Sequence, residues 1–479
     1  MGNPGAERAQ AAWFGFALGV LAALPSFLYL RGFTVDDAFI PARYAANIAR
    51  GVGYRFNPGG PSTDGVTPLG FPYLLAPFAT DGPLGALAAA RGAGALAWLA
   101  AAGALGAAVA RMGGSSLRYA SLLLVLFSAP LGAWAWGGLE TGIVVALSTT
   151  AAVLPAQPSY SPLAGAALGV AAWLRPEMLP YAAWLGASRA RAAGSRRHQW
   201  LTACLVVVPW LVAAAVRWLV WGRPAPLAVL AKPSDIAHGA AYVLPAILFT
   251  GAPLSAMALL AWSQLRGWHR TLATGSFVHL AVIVLAGGDW MALYRLVCPV
   301  LPPLIVATAH LLSSPRAGRA AALRLSIGCV AQIYVFVIRG SAAAQVLRDR
   351  LALIDAARPA LAGAQKVATT DVGWVGSATD AAIIDLAGAT DPEIAALPGG
   401  HTSKAVSGAF VTGRGADRLV FRLDERASEG SIAFAYAVEA RLFVDPLVAR
   451  TYRTTWKSPA TLPVHYIVLT MTTNPPLEL

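Results

Sequence analysis

The chain has 479 residues, 57% of them hydrophobic and only 12% charged, with a mean hydropathy of +0.59. A soluble domain carries about 25% charged residues, so this composition excludes an ordinary soluble enzyme and points to a protein that crosses a membrane many times. The net charge of +13 is uneven: residues 1–339 hold 23 Lys and Arg against 9 Asp and Glu, whereas residues 340–479 hold 13 against 14. No basic run is interleaved with exposed aromatics, as a nucleic-acid surface would require. Cys204, Cys298 and Cys329 lie in apolar runs without metal-ligand spacing, which leaves neither a disulfide framework nor a zinc site.

The first apolar run, 11–30, lacks a small-residue cleavage site and reads as a retained span. Further spans are expected near 92–110, 119–136, 139–154, 161–174, 177–188, 200–220, 240–262, 272–287, 293–312 and 321–339, eleven in all. The short segments 161–174 and 177–188 also admit a single helix kinked at Arg175-Pro176, in which case 68–79 crosses as well. Connections rich in Arg and free of acids are 111–118, 189–198, 263–271 and 313–324. The positive-inside rule makes these cytoplasmic, with the N-terminus inside and residues 340–479 outside. Eight of the nine acids before residue 340 then fall on the outer side: Asp36, Asp37, Asp64, Asp81, Glu140, Glu177, Asp235 and Asp289.

The first outer loop opens with the adjacent carboxylates Asp36 and Asp37 at the end of a span, where charge is costly. From there DDAFIPARYAANIARG reads as an amphipathic helix on the membrane surface, with Arg43 and Arg50 on one face. The acids suit its first turn as caps, and suit chemistry equally well. Glu140 in WAWGGLETG and Asp289 in GGDWMALYR supply acids in two further outer connections. Each also has a structural reading, Glu140 as a neighbour of a helix start and Asp289 as a partner of Arg295. On the same face Arg43, Arg175, Glu177, Arg217, Lys232 and Arg295 form a cation-rich set suited to an anionic headgroup or lipid phosphate.

From about 345 the texture changes. Residues 365–388 read as strand, short helix, strand, and 418–423 and 464–471 as further strands of a mixed α/β domain. The expected division is therefore a transmembrane catalytic domain, 1–339, and an extracytoplasmic soluble α/β domain, 340–479, with a linker at 340–350. Carboxylates beside a lipid-phosphate site, with no nucleotide-binding glycine motif, suggest glycosyl transfer from a lipid-linked donor. A transporter or flippase of a lipid-linked or anionic solute is the alternative, although it would favour mid-membrane acids and internal symmetry.

The loop DDAFIPARYAANIARGVGYRFNPGGPSTDGVTPLG resembles the first outer loop of GT-C membrane glycosyltransferases, and among them the mycobacterial terminal β-(1→2) arabinofuranosyltransferase group. WAWGGLETG, LRPE, the stretch holding Gly222, Pro224 and Lys232, GGDWM and IIDLAGATDPEIA extend the likeness along most of the chain. The resemblance implies a polytopic α-helical GT-C fold, a polyprenyl-phosphate sugar donor and a glycan, lipid or glycoprotein acceptor. It implies a reaction at the outer face of the plasma membrane in cell-envelope biogenesis, with Asp36 or Asp37 as catalytic base and Asp36 favoured. Glu140 and Asp289 are then supporting acids, and Tyr44, Asn57, Gly65 and Thr67 match the framework of the loop. Some members hold a divalent cation such as Mg, Mn or Ca, for which Asp36, Asp37 and Asp289 are the candidate ligands. Asp64-Gly65 stands where relatives often have Glu-Gly, and PAPLAVLAK lacks the Asn that often precedes the lysine, which leaves the sugar open.

Overall fold

The computed structural model describes residues 4–112, 122, 128–155, 157–232, 234–309, 311, 326–424 and 433–472. The expected connection 313–324, with Arg316, Arg319 and Arg324, lies outside the described residues, as do Arg118 and residues 119–121 and 123–127 of the span expected at 119–136. The described chain is mostly helical, with one small sheet near its C-terminus. Among the described residues four helices are long and apolar enough to cross a membrane: Ala9–Tyr29, Pro83–Arg111, Arg196–Trp221 and Ser326–Leu361. The count rises to six if each of two bent pairs makes one span, Ala129–Trp136 with Thr141–Val153 (bent 120°) and Ile236–Thr250 with Leu254–Leu260 (bent 95°).

The residues fall into two compact units. The first comprises 1–34, 90–216 and 234–345. Its helices Thr141–Val153, Ser161–Leu174, Leu179–Arg191, Gly267–Leu285 and Leu301–Ala309 each pack on the next, and the last returns to the first, closing a ring. Ser161–Leu174 and Leu179–Arg191 pack against each other as a hairpin. The break falls at Arg175, whose extended backbone precedes Pro176, as the residue before a proline prefers. The helix Pro4–Tyr29 comes so close to the 90–111 helix that a Cβ on Gly19 would strike the Ala102 carbonyl, a contact only glycine permits.

The second unit comprises 35–89, 217–233 and 346–479. The unit that holds the tail from residue 346 also takes in the first loop. Residues 340–350 are helical, not a loose linker: Ser341–Ala343 is followed by the helix Val346–Leu361. Alanine, leucine and arginine are strong helix formers, and Leu353, Ile354, Ala357 and Leu361 form its buried stripe.

The sheet has the order β2-β1-β3-β5-β4. Strands β1 (Lys366–Thr369), β2 (Ala382–Asp385) and β3 (Arg418–Arg422) run parallel, while β5 (Tyr466–Met471) lies antiparallel to both β3 and β4 (Tyr452–Lys457). The helix Val372–Ala378 makes the crossover from β1 to β2. Ala368, Ile384, Leu419, Phe421, Val438, Leu442, Ile467 and Leu469 build the core beneath the sheet.

Candidate functional site

In the second unit the first loop begins with a 3₁₀ turn, Asp36–Ala38, and continues as the helix Phe39–Ala49. Gly51 ends it at φ +76°, a left-handed conformation that only glycine adopts freely. This helix is not the surface amphipath that its spacing suggests. Phe39 to Asn47 are all buried, because small residues such as Ala42, Ala45 and Ala46 let the opposite face pack as well.

Arg43 shows how that face is satisfied. Its Nε donates to the Phe56 carbonyl (2.9 Å), Nη1 to the carbonyls of Gly376 (2.5 Å) and Thr379 (3.0 Å), and Nη2 to that of Ala381 (2.7 Å). Its charge therefore ties the loop to the end of the crossover helix and the start of β2. Asn57 seals the adjoining sheet edge, accepting from the Ile383 amide (2.8 Å) and donating to the Ile383 carbonyl (2.8 Å), as a neighbouring strand would. The Tyr44 hydroxyl lies 2.6 Å from the Thr63 hydroxyl and 2.8 Å from the Thr63 carbonyl, and accepts from the Gly65 amide (3.2 Å). Arg217 pairs with buried Asp64 (2.8 Å) and donates to the Thr67 carbonyl (2.5 Å). Lys232 is half-buried, and its ammonium forms no hydrogen bond or ion pair among the described residues.

The acid pair divides. Asp37 has no side-chain hydrogen bond or ion pair among the described residues. Asp36, also half-buried, accepts from two backbone amides of the crossover helix: Gly373 to Oδ2 (2.8 Å) and Trp374 to Oδ1 (2.9 Å). Burial, with the nearby Asp371 carboxylate adding to it, pushes the Asp36 carboxyl up from 3.8 to about 7, against the opposing pull of Arg350 and the two amides. Gly373 has no room for a side chain, since a Cβ there would collide with the Asp36 carbonyl and Oδ2.

Behind Asp36 lies a polar network that the sequence did not single out. The Tyr436 hydroxyl donates to Asp371 Oδ1 (2.9 Å), and the Tyr466 hydroxyl donates to Asp371 Oδ2 (2.5 Å). Arg350 in turn donates to the Tyr466 hydroxyl (2.8 Å), and Trp374 packs edge-on against the Tyr466 ring at 4.9 Å. Buried Glu439 accepts from the Arg422 amide (2.8 Å), and burial holds its carboxyl well above the usual range. The only local signal was the run TTDVGW, an acid and a glycine at a helix start. Asp385, the other acid of the tail, serves its own turn by accepting from Ala387, Gly388 and Thr390.

The remaining site residues lie in the first unit. Arg175 bridges Glu140, with which it forms a tight ion pair, and Glu177 (3.3 Å). Glu140 is buried at the bend between Ala129–Trp136 and Thr141–Val153. Asp289 pairs with Arg295 (2.8 Å) and accepts from the Trp290 amide (2.9 Å). Its loop is strained: Leu293 and Tyr294 have φ of +60° and +53°, and Trp134 Nε1 donates to the Leu293 carbonyl (2.9 Å). Among the described residues no cluster of three or more His, Cys, Asp or Glu is placed to hold a metal ion, and both Asp36 oxygens already accept backbone protons.

No protein-family model matches this chain, and no curated protein matches it significantly. The reading of its function therefore rests on its own residues.

Proposed function

We propose that this chain is a membrane-embedded glycosyltransferase of the GT-C type, with eleven spans and a cytoplasmic N-terminus. It transfers a sugar, arabinofuranose or another pentose or hexose, from a polyprenyl phosphate to a hydroxyl of a cell-envelope glycan, lipid or protein at the outer face of the plasma membrane. The observation that carries the reading is Asp36: a half-buried carboxylate aimed by two amides, with a pKa raised to about 7. General bases work best near that value, because they are then both deprotonated and basic at neutral pH. Of its four lone-pair positions two are taken by the amides, which leaves capacity for a substrate proton.

In the proposed step Asp36 takes the proton of the acceptor hydroxyl as that oxygen bonds to the anomeric carbon. The bond from that carbon to the phosphate oxygen breaks, and the lipid phosphate leaves with the electron pair. One displacement inverts the anomeric centre. Lys232, a cation of the same unit without a protein partner among the described residues, meets the phosphate charge. Arg43 and Arg217 hold the loop instead, since their donors are committed to carbonyls and to Asp64. The test is turnover of polyprenyl-phosphate sugars by the purified protein and by its Asp36→Asn variant.

A further inference from the structure

Asp371 occupies the position just before the helix Val372–Ala378, where an aspartate ordinarily turns its carboxylate onto the second and third amides of its own helix. Here it makes no such bond. Those two amides, of Gly373 and Trp374, are given to Asp36, more than three hundred residues earlier in the chain. Asp371 is held elsewhere by two phenols, Tyr436 just before the helix Ala437–Val444 and Tyr466 at the start of β5. Three elements of the tail thus cooperate to leave a pair of amides vacant for an acid of the first loop.

We propose that Asp371, clamped by Tyr436 and Tyr466, is a positioning residue. Its two tyrosines keep it off its own helix so that the Gly373 and Trp374 amides can aim the Asp36 carboxylate. This deepens the proposed function, because it rests on Asp36 being the general base, and it gives the C-terminal sheet a part in the reaction. The physical basis is competition. A local acid reaches its own helix amides at little entropic cost, whereas Asp36 must be brought there by the fold. Removing the phenolic hydroxyls frees the local acid to win. The groups facing this exchange are Asp36 from the loop, Arg350 from Val346–Leu361, Arg422 from β3, Glu439 from Ala437–Val444, and Tyr436 and Tyr466 themselves.

The test is a cryo-EM structure of the full chain carrying Y436F and Y466F, together with its steady-state kinetics on whichever polyprenyl-phosphate sugar the parent turns over. Phenylalanine keeps the rings and the Trp374 contact. The expected structure has an Asp371 oxygen on the Gly373 and Trp374 amides and Asp36 displaced. The expected kinetics show kcat down about tenfold or more with KM within about twofold, as for loss of a charge-assisted orienting bond. Adding Asp371→Ala to the double variant removes the competitor and is expected to return Asp36 to the amides and to recover most of kcat. If Asp36 still holds both amides in the double variant, the inference is overturned whatever the activity. If Asp36 is displaced but kcat stays at the parental value, Asp36 is not the base, and the functional reading fails instead.

Discussion

The backbone amide of Trp374 donates to the carboxylate of Asp36 at 2.9 Å, across 338 residues of sequence. The acid at the end of the first span is therefore part of the same compact unit as the C-terminal sheet, and its orientation is set by that sheet's crossover helix. Capping and catalysis, which looked like rival explanations of VDDAF, are compatible. Asp36 caps a helix, but a distant one, and a carboxylate with two fixed oxygens and a raised pKa is suited to act as a base.

The pair should separate under mutation. Asp36→Asn keeps the shape, but its NH2 group can neither take a proton nor accept the second of the two backbone amides, so turnover is expected to fall by about 10²–10⁴-fold. Asp37→Asn, which breaks no hydrogen bond among the described residues, should cost far less. Initial rates of donor consumption for the two variants decide the assignment, and an Asp37→Asn enzyme slower than Asp36→Asn would reverse it.

Activity should follow the titration of Asp36. Its carboxyl is raised to about 7 in the folded protein, chiefly by burial and then by Asp371. The base form is the deprotonated one, so kcat/KM is expected to be flat above about pH 7 and to fall as pH drops through that value. The neighbouring Asp371 carboxylate helps to raise the Asp36 pKa, so in Asp371→Asn the fall should move to lower pH. A profile with no acidic limb between pH 5 and 8 would contradict the assignment.

Gly373→Ala tests the grip itself. The added methyl has no space beside the Asp36 backbone and carboxylate. The crossover helix or the acid must move, and we expect loss of most activity together with a lower melting temperature. Gly413→Ala, where an added Cβ meets nothing within 4 Å, is the matched control and should behave as the parent.

Arg43 is predicted to matter for folding more than for donor affinity. Four backbone carbonyls depend on it. Each charge-assisted hydrogen bond contributes about 1.5–3 kcal/mol, and unsatisfied buried carbonyls add to the loss, so Arg43→Ala should destabilise by at least about 3 kcal/mol. Thermal unfolding in detergent reads this directly. The Lys232→Ala variant should do the opposite, raising KM for the donor with little change in melting temperature.

The fold was legible in the sequence wherever its signal was local. The strands at 365–388, 418–423 and 464–471 appear close to where their β-branched runs lie, and the described chain is mostly helical before them, with four to six helices or bent pairs long and apolar enough to span a membrane. Strand β4, YRTTWK, was not read because it is an exposed edge strand with little apolar pattern to betray it. The linker expected at 340–350 turned out helical, since the fall in hydropathy there marks a change of surroundings and not of secondary structure. The site was half legible. Asp36 and Asp37 stood out because charge at the end of a span is costly, and Tyr44 and Asn57 belong to the same loop. Arg43 and Arg217 were read as anion-binding cations, yet their partners lie far along the chain, at Gly376, Thr379 and Ala381 and at Asp64, and spacing alone cannot locate such partners. Asp371 escaped notice for the same reason, since the tyrosines that hold it are 65 and 95 residues downstream.

The central claim is tested most directly by incubating the purified full-length protein with polyprenyl-phosphate arabinofuranose, and in parallel with other polyprenyl-phosphate pentoses and hexoses, while following loss of donor and transfer to a hydroxyl acceptor. We predict turnover of at least one donor with inversion at the anomeric carbon, and its near-abolition in a folded Asp36→Asn variant. Equal turnover by the parent and Asp36→Asn would contradict it.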